Sequence, residues 1–340
     1  MRIDFNNLLT IAEISGNHGH SFQNAARLID CCFKGGFNAV KLQTFDASLL
    51  AVDGDGDDYK VIDKNSPWNG RTLKSLYEES TLSWDIQKKI FMKYLSKKKL
   101  IFSSVFDKKS IDFVSKLNCP FYKIASFESC DAFLLDEVSK TKKPIIISTG
   151  NTNKEEIDFT INFLKKRKVK QIAILICVSD YPALLENYDL SKLKYFKEKY
   201  NVAVGVSDHT VGNELAIAAV AAGATIIEKH VKLDSDNDSI DSHFSLSNKN
   251  FQKFNKLCRG TSVSISNNNF KKFKKNERKY RKSLYFSKDL KKNTVIKKEH
   301  LKSSRPFQGV SSQFFFDIIG KVLKKNVKTD QPVNKNYFYN

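Results

Sequence analysis

Up to about residue 260 the chain alternates short, almost continuously apolar runs with stretches whose apolar positions recur at helical spacing. The runs are LLTIAEIS (8–15), NAVKLQT (38–44), KLIFSSVF (99–106), FYKIAS (121–126), PIIIST (144–149), QIAILICV (171–178), VAVGVS (202–207) and ATIIEKHV (224–231). Continuous rather than alternating apolarity is how parallel strands covered on both faces read. Helix patterns fill the gaps. In SFQNAARLIDCCFKGG, Ser21 is placed to cap a helix and Gly35–Gly36 to stop it, while the nearly all-apolar NELAIAAVAAGA ends at Gly223. Eight strands in β/α alternation predict a (β/α)8 TIM barrel, although a doubly wound open sheet shares the same local grammar.

Only the barrel requires polar and ionisable residues at the carboxyl end of nearly every strand. They are present. Glu13, Ser15, Asn17 and His18 close the first strand, Lys41 and Gln43 lie in the second, and Ser103, Ser104 and Asp107 end the third. Lys123, Ser126 and Glu128 follow on the fourth, Ser148 and Thr149 on the fifth, and Ser179, Asp180 and Tyr181 on the sixth. The last two strands supply Ser207, Asp208 and His209, then Glu228, Lys229 and His230. Lys41, Lys123 and Lys229 inside otherwise apolar strands would be costly without anionic partners. In the absence of substrate the charges of Lys41 and Lys123 are expected to be unpaired or held on bound anions.

Beyond residue 260 the grammar changes. A polar, lysine-rich stretch over residues 261–282 reads as a linker, and residues 283–340 read as a small β-rich domain that leans on the barrel (1–260) or on a second chain. The net charge of +20 raises a nucleic-acid reading, but the lysines are spread over predicted helix faces, with one denser run at KKFKKNERKYRK (271–282). A solvated surface explains them, and no nucleic-acid partner is expected. No run approaches the roughly 20 apolar residues of a membrane span, and MRIDFNNLLTIAEIS lacks the build of a signal peptide, so no membrane partner and a cytoplasmic location are expected. The six cysteines show no CxxC spacing, against a disulfide framework or zinc ribbon.

In a closed barrel the ends of adjacent strands point into one mouth, where His209 and His230 can converge on one divalent ion and leave positions open for water and substrate. Glu13, on the strand that adjoins the eighth, could orient a ligand or bind substrate directly. Lys41, Lys123, Ser104, Ser126, Ser179 and Ser207 form a cradle of ammonium and hydroxyl groups suited to phosphate and carboxylate. No GxxxxGK[ST] and no GxGxxG after a strand is present, which disfavours nucleotide substrates and leaves a phosphorylated small acid.

The segments AEISGNH, VKLQTF, YKIASFE, ISTGN, VGVSDHTVG and IEKHVKLD, in that order, resemble the sialic-acid synthase family, which condenses phosphoenolpyruvate with an amino sugar. RPFQGV and IIGKVLKKNVKTDQPV resemble that family's C-terminal antifreeze-like (SAF) domain. SGNH, PWNGRTLKSLYEE and IDSHFSL resemble the branch that makes pseudaminic acid from a 2,4-diacetamido-2,4,6-trideoxy-L-altrose. The resemblance implies His209 and His230 as metal ligands, with Mn2+ the usual ion, and places Lys41, Lys123, Ser104, Ser126, Ser179 and Ser207 around phosphoenolpyruvate. It further implies that Glu13, Gln43, Glu128, Tyr181 and Asp241 face the sugar, the metal or the reacting carbons. By the same resemblance Arg305, in RPFQGV, reaches the sugar from a partner subunit, which makes the expected assembly a domain-swapped homodimer.

Four segments depart from the family's usual pattern: SSVFD stands for STPFD, GNHGH for GNHNG, VSDYP for TSxYP, and Phe307 for a glycine after the Arg305–Pro306 pair. Other readings are an N-acetylneuraminate or legionaminate synthase, a metal-dependent aldolase on the same barrel that releases no phosphate, and an inactive carbohydrate-binding homologue.

Overall fold

The computed structural model describes residues 3–64, 66–236, 238–266 and 278–339. Each apolar run becomes a strand: β1 (Leu9–Glu13), β2 (Ala39–Thr44), β3 (Leu100–Val105), β4 (Tyr122–Ile124), β5 (Ile145–Ser148), β6 (Ile172–Cys177), β7 (Ala203–Asp208) and β8 (Ile226–Lys232). Neighbours pair in parallel in chain order, and β1 also pairs with β8. The sheet therefore closes, and the open doubly wound alternative is excluded.

Helices surround this ring, and their ends follow local chemistry. The Ser21 hydroxyl accepts from the Asn24 amide at 3.3 Å to cap the helix Phe22–Lys34, and Gly36 leaves it at φ 100°, a left-handed conformation that glycine adopts without penalty. The apolar helix Glu214–Ala221 likewise ends before Gly223 at φ 99°. The strands' outward residues and the helices' apolar faces make one core, with Ala12, Val40, Ile101, Ile145, Ile174 and Val206 among its fully buried members.

Strand register carries the site chemistry around the ring. Glu13 lies beside Lys41 on one side and His230 on the other, Gln43 beside Ser104, Ser104 beside Lys123, and Ser207 beside Glu228. Because successive side chains alternate faces, the inward set 207, 209, 228 and 230 excludes Asp208 and Lys229. Those two form a buried pair of their own at 2.9 Å, with the Lys229 ammonium also donating to the Thr210 carbonyl at 2.5 Å. Lys229 is thus a structural cation behind the wall, unlike Lys41 and Lys123.

Two compact units divide the chain, residues 1–267 and 268–340. The final helix of the first unit runs Phe251–Ser266, so the barrel extends past residue 260 into the expected linker. The remainder of that linker up to residue 277 falls outside the described residues. The second unit contains one antiparallel pair, Ser283–Phe286 with Leu301–Ser304, and isolated bridges such as Leu290 with Val327. Regular strand is sparser there than the sequence pattern suggests. Leu284, Phe286, Ile296, Leu323 and Val333 give it an apolar core of its own.

Candidate active site

The carboxyl ends of the strands open into a cavity of about 750 Å3. Among the site residues expected from the sequence, all but Glu13 and Arg305 line it. Arg305 belongs to the second unit, where its Nε donates to the Tyr280 carbonyl. Glu13 is wholly buried beneath the cavity floor rather than facing a ligand. Its Oε2 lies 2.8 Å from the Lys41 ammonium, and its Oε1 accepts from Gln43 Nε2 and the Ser15 amide, both at 3.0 Å.

Charged groups on the floor neutralise one another. Lys41 also lies 3.3 Å from Glu228 Oε1 and donates to the Ser104 hydroxyl at 3.0 Å, and Lys123 lies 3.1 Å from the same Glu228 oxygen. The Ser207 hydroxyl donates to that oxygen as well, at 3.0 Å. This corrects the expectation of unpaired ammonium groups, since strand-borne carboxylates hold both. Burial works against the charge on Lys41, but Glu13 and Glu228 outweigh it and hold its pKa above the usual lysine value. Burial pulls Lys123 below that value, with Glu228 only partly offsetting it. Burial also opposes ionisation of Glu228, yet Lys123 and Lys41 hold its pKa down at about 2.

The imidazoles of His209 and His230 meet edge to face with centroids 5.3 Å apart. His209 Nδ1 lies 2.7 Å from the Val178 carbonyl, which makes that nitrogen the donor and leaves the Nε2 lone pair on the cavity side, 3.3 Å from the Ser207 hydroxyl. His230 Nδ1 is buried and has no hydrogen-bond partner. Burial pushes His209 down to about 3 and His230 well below the ordinary range, the latter helped by His209, so both rings are neutral. Two neutral imidazoles with free nitrogens at one wall fit a divalent ion. Among the described residues no group of three or more His, Cys, Asp and Glu could hold one, so the remaining positions would fall to water or substrate.

Other cavity groups await partners. Glu128 Oε2 and the Ser148 hydroxyl are buried without hydrogen bonds, and burial lifts Glu128 to about 7 despite nearby Lys123. Ser126 and Ser179 share a hydrogen bond at 2.9 Å, and Asp241, raised by burial, accepts from the Gly16 amide at 3.0 Å. Tyr181 stacks on His209 with centroids 4.4 Å apart. The connection after β2 adds both apolar and polar lining, with Trp68, Leu73 and Leu76 beside Asp63, Ser66 and Ser80.

A family model described as NeuB family matches residues 28–270, and a SAF domain model matches residues 281–337. The chain belongs to the NeuB family. Pseudaminic acid synthase of Campylobacter jejuni is 35% identical over 320 residues, 94% of this chain and 93% of that protein. N,N'-diacetyllegionaminic acid synthase of the same species is 30% identical over 338 residues, covering 96% and 99%. The crystal structure of an N-acetylneuraminic acid synthetase from Leptospira borgpetersenii aligns with a TM-score of 0.69 at 26% identity, over 81% of this chain and 90% of that one.

Three cavity residues of this NeuB-family chain escape a reading that assigns roles from the sequence: Ser15, Ser148 and Glu228. Glu228 was detectable, because it stands two positions before His230 on the same strand and must share its face. In the SSVFD segment, Ser104 accepts the Lys41 hydrogen bond and Val105 is fully buried.

Proposed function

We propose that this chain is a pseudaminic acid synthase, which joins phosphoenolpyruvate to an open-chain 2,4-diacetamido-2,4,6-trideoxy-L-altrose and releases phosphate. One observation carries the reading: two neutral imidazoles and two buried ammonium groups converge in a single cavity. The 35% identity to the Campylobacter jejuni protein of that name supports the choice of sugar.

The anion site is a switchable one. Lys41 and Lys123 are held by Glu13 and Glu228 until the carboxylate and phosphate arrive, and Ser104, Ser126, Ser148, Ser179 and Ser207 supply hydroxyl donors beside them. His209 and His230 would hold a divalent ion, by our reading Mn2+, which when bound supplies Lewis-acid polarisation of the sugar aldehyde. Carbon 3 of phosphoenolpyruvate then forms the new C–C bond to that aldehyde carbon, whose oxygen takes up a proton. Water adds at carbon 2 and gives up its first proton; the C–O bond to phosphate then breaks with its electron pair leaving on phosphate, and the hydroxyl left on carbon 2 passes its remaining proton to the departing phosphate and becomes the ketone. The first of these protons needs an acceptor on the cavity surface. Glu128 is that group: it lines the cavity, has a free oxygen and sits near neutrality, whereas both oxygens of Glu13 are engaged below the floor. Fixing both substrates in one mouth supplies much of the rate through orientation.

The test is phosphate release from phosphoenolpyruvate against a panel of acetamido sugars, with and without Mn2+, and with products weighed by mass spectrometry. The altrose-configured diacetamido sugar should give a nine-carbon acid and stoichiometric phosphate, and His209→Ala should abolish the Mn2+-stimulated release while circular dichroism stays unchanged. Sugar binding without turnover at any metal concentration would leave only a carbohydrate-binding homologue.

A further inference from the structure

Four charges alternate in sign across the cavity floor, each from a different strand: Glu13 on β1, Lys41 on β2, Glu228 on β8 and Lys123 on β4, at successive separations of 2.8, 3.3 and 3.1 Å. All four are buried, and their charges sum to zero. The two carboxylates are not equivalent. Glu13 lies beneath the floor and touches Lys41 but not Lys123, whereas Glu228 lines the cavity and meets both ammonium groups through one oxygen. The other Glu228 oxygen is buried without a hydrogen bond, and among the described residues no second carboxylate lies within 4 Å of Lys123. The reaction above uses both lysines and gives Glu228 no step. A pair that served stability alone could sit out of reach of any ligand, as Asp208 and Lys229 do behind the wall. Glu228 instead occupies the two cations that an incoming anion needs.

We propose that Glu228 is a built-in competitor for the anion site, so that the cavity holds a ligand carrying both carboxylate and phosphate and lets go of phosphate alone. Each anion that binds takes over charge-assisted contacts already made to a carboxylate, and this lowers the affinity of every anion by about the same factor. A ligand with two anionic groups recovers the loss through its second group. Inorganic phosphate has one group and recovers less. The consequence falls on turnover: when the C–O bond breaks, phosphate loses its link to the carboxylate end, and Glu228 regains Lys41 and Lys123 as it leaves. The inference rests on the synthase reading for the identity of the departing anion, while the competition itself belongs to the floor.

Inorganic phosphate is titrated by calorimetry into the full-length protein and into Glu228→Gln, which keeps the side chain's shape and removes its charge. The variant should bind phosphate about 10- to 100-fold more tightly, the range of one hydrogen bond to a charged group. In turnover with Mn2+ and the altrose-configured sugar, followed by loss of phosphoenolpyruvate absorbance, added phosphate should inhibit the variant at correspondingly lower concentration. A gain in affinity separates this role from a structural one, because a damaged site loses affinity. Glu13→Gln removes the same charge from beneath the floor and should change phosphate binding much less. If Glu228→Gln does not fold, Glu228→Asp, with a carboxylate one methylene shorter, takes the same titration and should show a smaller gain. Unchanged or weaker phosphate binding in the Glu228 variant, or an equal gain in Glu13→Gln, would overturn the inference and leave the synthase standing. A gain confined to Glu228, in a protein that turns over none of the sugars, would sustain the competitor and overturn the synthase.

Discussion

Glu128 is a carboxyl whose environment sets its use. It follows β4 into the cavity, its Oε2 has no partner, and burial places its pKa at about 7. A base must be unprotonated, so the rate of phosphate release should rise with pH through about 7 and level off above it. Glu128→Gln should remove that limb and lower kcat by about 10²- to 10⁴-fold, with the KM for phosphoenolpyruvate little changed. A pH–rate profile that keeps its limb in the variant would pass the role to another group. At this scale the sequence was legible where type and position agree. His209, His230, Lys41 and Lys123 declare themselves in otherwise apolar strands, and the cavity gathers these four. Two glutamates were harder to read. Glu13 looks like a ligand-facing acid but ends beneath the floor, holding Lys41 and Gln43. Glu228 looks like one of several polar strand-end residues, yet it ties Lys41, Lys123 and Ser207 together. Pairing across strands decides both cases, and pairing is set by register rather than by residue type.

Whole strands were easier to place than their faces. The eight apolar runs and the caps at Ser21, Gly36 and Gly223 follow from local chemistry, so their positions could be read directly. Parity along β8 separates the three buried lysines into two kinds. Lys229 points from the barrel to Asp208, which also accepts from the Thr210 amide and hydroxyl at 2.9 and 2.7 Å. Removing one partner of such a buried pair strands the other charge, at about 3–5 kcal/mol. Lys229→Met should therefore lower unfolding free energy by about that amount in urea titrations while the folded enzyme keeps its KM for phosphoenolpyruvate. Replacing both partners, as in Asp208→Leu with Lys229→Met, should recover much of the loss. Lys123→Met should do the opposite, raising the KM with a smaller effect on stability, because Glu228 keeps Lys41 as a partner. Equal KM effects at both lysines would put Lys229 back in the mouth. The connection after β2 was legible as a long insertion only, since its apolar helix face has no strand register to fix where it points.

Across the whole molecule the cations are unevenly shared, with 20 Lys and Arg against 5 Asp and Glu in residues 268–340, compared with 57 against 37 in the full chain. The excess belongs mainly to the second unit, and not to the barrel's helix faces as their lysine content suggested. Arg305 is exposed in that unit, in the segment matched by the SAF domain model. The resemblance that assigns Arg305 to the sugar requires it to come from another subunit, and subunit mixing tests this requirement. Arg305→Ala leaves a complete barrel with a deficient second unit, and His209→Ala leaves the reverse. Each is expected to be inactive by itself. In a mixed dimer with exchanged second units, one site would combine the intact barrel of the first chain with Arg305 of the second. Random pairing on co-expression would then restore about a quarter of wild-type phosphate release, since half the dimers are mixed and each has one good site. If each second unit serves its own barrel, the mixed dimer pairs every intact barrel with a missing arginine and activity stays at the level of the single variants. Gel filtration of the mixture must show dimers in both cases, so that lack of recovery is assigned to geometry and not to lack of association.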